Sequence, residues 1–166
     1  LYPRGLHNAC GSGHFITEAF DSNQQLLNGV DPASIQNARD RDKFLRRREG
    51  FQWAEGTVFG IERDHRLAKV TKIATFLNGD GDATILHADG LDSFYDSRTY
   101  TGLLKASDDG DVEMRTRNHP VFDVLVANPP YSVANFRSGS TATAESFSLL
   151  PHISTNGSEI ECLFVE

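Results

Sequence analysis

An apolar run that stops at two adjacent prolines leaves a chain few ways to fold, and Phe122–Tyr131, FDVLVANPPY, is such a run. Val121, Phe122, Val124, Leu125, Val126 and Ala127, broken only by Asp123, predict a buried parallel strand at the centre of a sheet. Asn128-Pro129-Pro130-Tyr131 ends it abruptly. The prolines have no amide donors and a fixed φ, so they hold the corner extended and leave the Asn128 and Pro129 carbonyls to accept hydrogen bonds from a ligand. Asn128 adds a side-chain acceptor and Tyr131 a flat ring. A planar group carrying an NH2 suits such a corner. Taken alone, the same residues also fit a plain Pro-Pro turn after a core strand, so their meaning depends on what lies upstream.

Upstream, Leu6–Ala9 enters Cys10-Gly11-Ser12-Gly13, after which Phe15, Ile16, Ala19 and Phe20 recur at helical spacing. A glycine turn opening into a helix aims backbone N–H groups and a positive helix end at a carboxylate, phosphate or ribose, although an ordinary tight strand-to-helix turn uses the same residues. Leu1–Gly5 resembles a cleavage-site remnant and carries no weight. Asp21–Phe51 predicts a helix end, a loop and a second exposed helix, with the basic cluster Arg39–Arg48 as a solvated face. Thr57–Glu62 is a short strand ending on an acid, and Glu62 is placed to accept from both ribose hydroxyls of a nucleoside. Asp64 is the expected cap of a helix Arg66–Leu77, whose Leu67, Val70, Ile73, Ala74 and Leu77 form one apolar face. Asn78–Asp82 is a turn, and Ala83–Gly90 is a third strand with Asp89 at its carboxyl end. Ser93–Val121 predicts an excursion or hairpin, and Ser132–Asn156 a lid-like polar loop. Ser158–Glu161 fits a capping box opening a helix with Ile160, Leu163 and Phe164 on one face.

At 166 residues, 39% of them hydrophobic, the chain predicts one globular domain. Neither a membrane-length apolar run nor a signal-peptide layout is present, so the expectation is a soluble cytoplasmic protein with no membrane partner. Cys10 and Cys162 are the only cysteines, with neither metal-ligand spacing nor a disulfide framework, and Cys10 is expected to be a small buried residue rather than a nucleophile. A net charge of −7 argues against strong duplex binding by this chain alone, because affinity for DNA comes largely from cations neutralising phosphates.

Four features fall at the carboxyl ends of successive strands, where an open α/β sheet holds its ligand: the CGSG turn, Glu62, Asp89 and NPPY. In this order they resemble the N6-adenine DNA methyltransferases of restriction-modification systems, particularly the modification subunit of type I systems and related fused enzymes. The resemblance covers most of the chain; Asp21–Trp53 and Ser93–Val121 carry no motif. It implies a Rossmann-like fold with a mainly parallel sheet, S-adenosylmethionine as cofactor and DNA as substrate. It further implies that Ala9-Cys10-Gly11-Ser12-Gly13 receives the methionine part, Glu62 the ribose, and Asp89 with Gly90 the adenine amino group. Ile61 and the Gly90-Leu91 pair would flank the cofactor adenine.

By the same resemblance Asn128, Pro129, Pro130 and Tyr131 form the catalytic corner, with Asn128 also beside the cofactor. Asn128 Oδ1 and the Pro129 carbonyl would accept the two hydrogens of the target amine, and Tyr131 would stack on a flipped base, with no metal needed. The strand FDVLVA must then lie next to the strand entering CGSG, with both carboxyl ends at one edge. His7 and Asn8 stand where the family has Asp-Pro, which removes an acceptor expected near the cofactor's ammonium group. With the upstream aromatic segment, later strands and target-recognition domain missing, residues 1–166 read as one partial catalytic domain that depends on a specificity or recognition subunit or domain. A protein glutamine-N5 methyltransferase and a non-catalytic cofactor-binding or scaffolding domain remain as alternatives.

Overall fold

The chain alternates short strands with helices: β1 (Gly5–His7), α1 (His14–Asn28), α2 (Ala38–Arg48), β2 (Val58–Glu62), α3 (His65–Leu77), β3 (Thr84–His87), β4 (Val124–Val126) and α4 (Glu161–Val165). These come from a computed structural model that describes residues 4–79, 83–92, 122–130, 147–154 and 159–165. The four strands form one sheet in the order β3-β2-β1-β4. Every pairing is parallel: His7 lies opposite Gly60 on β2 and Val126 on β4, and Glu62 opposite His87 on β3. All four carboxyl ends therefore share one edge, as the spacing of the motifs requires.

Side-chain alternation splits the sheet into two faces. Leu6, Phe59 and Ile61 are buried on one, with Phe122 and Leu86 packed against them. On the other, Ile16 and Phe20 of α1 join Cys10, Trp53, Ala54 and Ile85 in the main core. Gly60 makes that closure possible, since a Cβ there would stand 2.8 Å from Ile85 Cδ1 and 2.9 Å from Ile16 Cδ1. Trp53 is anchored through its indole N–H, which donates to Gln24 Oε1 at 2.8 Å. A smaller core of Leu91, Ile153, Ile160, Leu163 and Phe164 includes α4 and the face expected of it.

Several expectations hold. The Asp64 carboxylate caps α3, accepting from the Arg66 and Leu67 amides at 2.8 and 3.1 Å. The basic helix α2 is mostly solvated and buries only Phe44. Arg47 turns back, however, donating to the carbonyls of Trp53 and Glu55 at 3.2 and 2.6 Å.

Four expectations are corrected. β4 is not central: among the described residues it pairs with β1 alone, and Val124, Leu125 and Val126 are 49%, 52% and 40% exposed. The apolar stripe of α3 faces outward, with Leu67, Val70, Ile73 and Leu77 exposed and Ala74 half-buried. The buried side of α3 is instead Ala68, Thr71 and Thr75, and at Thr71 the glycine turn packs directly against it. Arg4 and Gly5 are integral, since Gly5 opens β1 and the Arg4 carbonyl accepts from the Asp123 and Val124 amides. Within Ser132–Asn156, the described part 147–154 is anchored through Phe147, Leu150 and buried Ile153, with a 3₁₀ turn at Leu150–His152 and its other residues exposed, while 132–146 and 155–156 lie outside the described residues. Expectations for Leu1–Pro3, Asp80–Asp82, Ser93–Val121, Tyr131 and Ser158 lie outside the described residues. Among the described residues, no helix is long and apolar enough to cross a membrane.

Candidate functional site

The turn after β1 is held from both sides. Its Cys10 amide donates to the Ile61 carbonyl at 2.9 Å, which keeps the chain beside β2 for three residues beyond the strand. Gly11 then adopts φ +55° and donates its N–H to Glu62 Oε2 at 2.7 Å, while its carbonyl accepts from Thr71 Oγ1, also at 2.7 Å. Gly13, at φ +81°, caps α1 against the same threonine, and a Cβ there would come within 2.5 Å of Thr71 Cγ2. Positive φ and this approach both call for glycine. Outward from Gly11, no atom of the described residues lies within 4 Å of where a Cβ would stand.

The Glu62 carboxylate is thus anchored before any ligand arrives: Oε1 accepts from the Asp64 amide at 2.8 Å and Oε2 from Gly11. The Gly11 N–H, expected to face a ligand, faces Glu62 instead. Each carboxylate oxygen keeps a second lone pair, so Glu62 can still accept two donors from outside. At the next strand end, Asp89 Oδ1 accepts from the Leu91 amide at 3.0 Å and Oδ2 lies 3.8 Å from the Arg63 guanidinium. Gly90 presses against the Asn8 carbonyl oxygen, where a Cβ would overlap it. That contact ties the β3 loop to the β1 turn.

The sheet therefore brings Cys10–Gly13, Glu62, Asp89 and Asn128 to one edge, and direct contacts join the first three regions. Among the described residues no hydrogen bond links Asn128 to them; Asn128 and Pro130 are exposed and Pro129 is buried. Ile61 and Leu91 do not flank an open site: both are buried, the first with Leu6 and Phe59 and the second with the α4 cluster. Tyr131 lies outside the described residues. Cys10 is buried, and burial with the Glu62 charge pushes its thiol up to about 12, so it stays protonated and inert.

No family model matches this chain, and no curated protein matches it in sequence. Its chemistry is accordingly read from the edge itself. Two carboxylates at adjacent strand ends can accept from hydroxyl and amino groups spaced along a nucleoside, and the glycine turn beside them leaves room for a chain-like substituent. Among the described residues no group of three His, Cys, Asp or Glu side chains could hold a metal ion.

One residue of this region escaped the sequence reading: Thr71 clamps the turn, and its signal is the small-residue series Ala68, Thr71, Thr75 at helical spacing opposite the apolar stripe. His7, read from the sequence only as a departure from Asp-Pro, is buried, and among the described residues neither ring nitrogen has a partner.

Proposed function

We propose that the protein binds S-adenosylmethionine along the carboxyl edge of its sheet and methylates the exocyclic N6 amine of adenine in DNA. The observation carrying this reading is that the glycine turn, the two acids and the Asn-Pro-Pro corner end four strands of one parallel sheet in the order β3-β2-β1-β4. The donor set fits the cofactor: Glu62 would accept from its ribose hydroxyls and Asp89 from its adenine amino group, and the open space at Gly11 admits its amino-acid arm. S-adenosylmethionine supplies an electrophilic methyl group.

An exocyclic adenine amine is a poor nucleophile because its lone pair is delocalised into the ring. Asn128 Oδ1 and the Pro129 carbonyl, accepting its two hydrogens, would favour a pyramidal nitrogen and restore the lone pair for in-line attack on the methyl, the N–C bond forming as the S–C bond breaks, with the neutral thioether leaving and one amine proton passing to solvent. Tyr131 would stack on the base once it is flipped out of the duplex, which costs a few kcal/mol. With a net charge of −7, this chain gains little from phosphate neutralisation. We therefore assign the flipping energy and the sequence choice to a specificity or recognition partner, and the reaction to the cytoplasm.

Tritiated-methyl transfer tests this. Incubation with labelled cofactor, adenine-containing single-stranded DNA and mismatched duplexes should label DNA at N6, and Asn128→Ala should abolish the labelling. Label appearing on glutamine side chains of added protein would transfer the site to the glutamine reading. Cofactor binding by calorimetry with no transfer to either substrate would favour the scaffolding one.

A further inference from the structure

Between α1 and the β1–β4 half of the sheet runs a groove of about 620 Å³, lined by Phe15, Leu26, Trp53, Val58, Val124 and Val126 among others. Its other polar lining residues, Glu18, Ser22 and Asn23, are exposed side chains of α1. His7 differs from them. It is only 4% exposed, its ring lies 5.6 Å from that of Phe15, and among the described residues neither Nδ1 nor Nε2 has a hydrogen-bond partner. In the strand register it stands opposite Val126, so both side chains project to the α1 side of the sheet, into the groove. A buried imidazole without partners is costly, and a polar group arriving in the groove would recover that cost.

We infer that this groove binds a small organic molecule with an aromatic-sized apolar body and a single hydroxyl, which exchanges a hydrogen bond with the His7 imidazole. The volume lies within the roughly 300–1,000 Å³ of small-molecule sites, and a mostly apolar wall with one placed polar group is their usual make-up. Burial lowers the His7 pKa, with the Glu62 charge opposing, so the ring is neutral and offers one N–H donor and one nitrogen acceptor. A carboxylate only accepts, so it would leave the ring's acceptor nitrogen unpaired while burying its own charge against apolar walls, and is disfavoured. A hydroxyl both donates and accepts, so it suits either tautomer. Gly11, Glu62, Asp89 and Asn128, on which the methyl transfer proposed above rests, do not line this groove.

The chain has a single tryptophan, and it lines the groove, so Trp53 fluorescence reports occupancy directly. The test titrates 4-ethylphenol against ethylbenzene, which fills the same space without the hydroxyl. 4-Ethylphenol should give a saturable change in emission and ethylbenzene should bind about tenfold more weakly, the ratio for one lost hydrogen bond. His7→Leu should erase that preference. Should this variant fail to fold, the imidazole ¹⁵N resonances of His7 in the unaltered protein must shift with 4-ethylphenol and stay in place with ethylbenzene. Equal binding of the two probes, unmoved His7 resonances or a flat Trp53 response overturns the inference. N-acetyl-tyrosinamide carries the same phenol on a peptide backbone; binding tighter than that of 4-ethylphenol would assign the groove to a polypeptide and overturn the small-molecule reading.

Discussion

Glu62 holds the glycine turn with the same carboxylate that the proposed reaction needs for ribose. Hydrogen bonds to a charged acceptor are worth about 1.5–3 kcal/mol each, and those from Gly11 and Asp64 set the carboxylate's orientation in advance. Glu62→Ala should therefore lower both cofactor affinity and thermal midpoint, whereas Glu62→Gln, which keeps one oxygen acceptor, should lose less of each. Asn128 is exposed, so Asn128→Ala should change stability by less than about 0.5 kcal/mol and leave cofactor affinity intact while removing transfer. Calorimetric titration with S-adenosylmethionine beside a thermal melt separates the two; equal loss of affinity in Glu62→Ala and Asn128→Ala would refute the division of roles. The acid at the end of β2 was legible because strand ends on acids recur at such sites. Its bond to Gly11 was not, because the partners are 51 residues apart and meet only through the β1–β2 pairing.

The helix α3 shows how far periodicity carries at the level of an element. Spacing identifies Leu67, Val70, Ile73 and Leu77 as one face but is silent on which neighbour that face meets. Here geometry overrides hydropathy: the glycine turn packs directly on Thr71, whose hydroxyl is needed by the Gly11 carbonyl, and Ala68 and Thr75 are the other residues of that buried face. Two substitutions with opposite hydropathy expectations check this by urea unfolding. Thr71→Val preserves shape and adds apolarity, yet should destabilise by about 1–3 kcal/mol because it orphans the Gly11 carbonyl. Ile73→Asn removes a large apolar side chain that is 59% exposed and should stay within about 0.5 kcal/mol. The reverse ranking would mean that the apolar stripe carries the packing after all.

Across the whole molecule, the pairing of β4 with β1 could be worked out from the chain, because the CGSG and NPP corners can share a site only if their strands are parallel neighbours. The position of β4 at the edge of the described sheet could not, since a segment apolar on both faces reports that burial is favourable and not what supplies it. That edge has a consequence for the fate of the protein at high concentration. Three exposed apolar residues whose outer peptide groups have no strand partner among the described residues are a template on which like strands can stack into fibrils. The template is kept short, however, by exposed Asp123 on one side and by Pro129 and Pro130 on the other, and proline has no N–H to give an incoming strand. The corner read for its ligand chemistry is thus also an aggregation gatekeeper. Pro130→Val, at an exposed position, should shorten the lag before thioflavin-T fluorescence rises, and an unchanged lag would show that fibril growth is checked elsewhere.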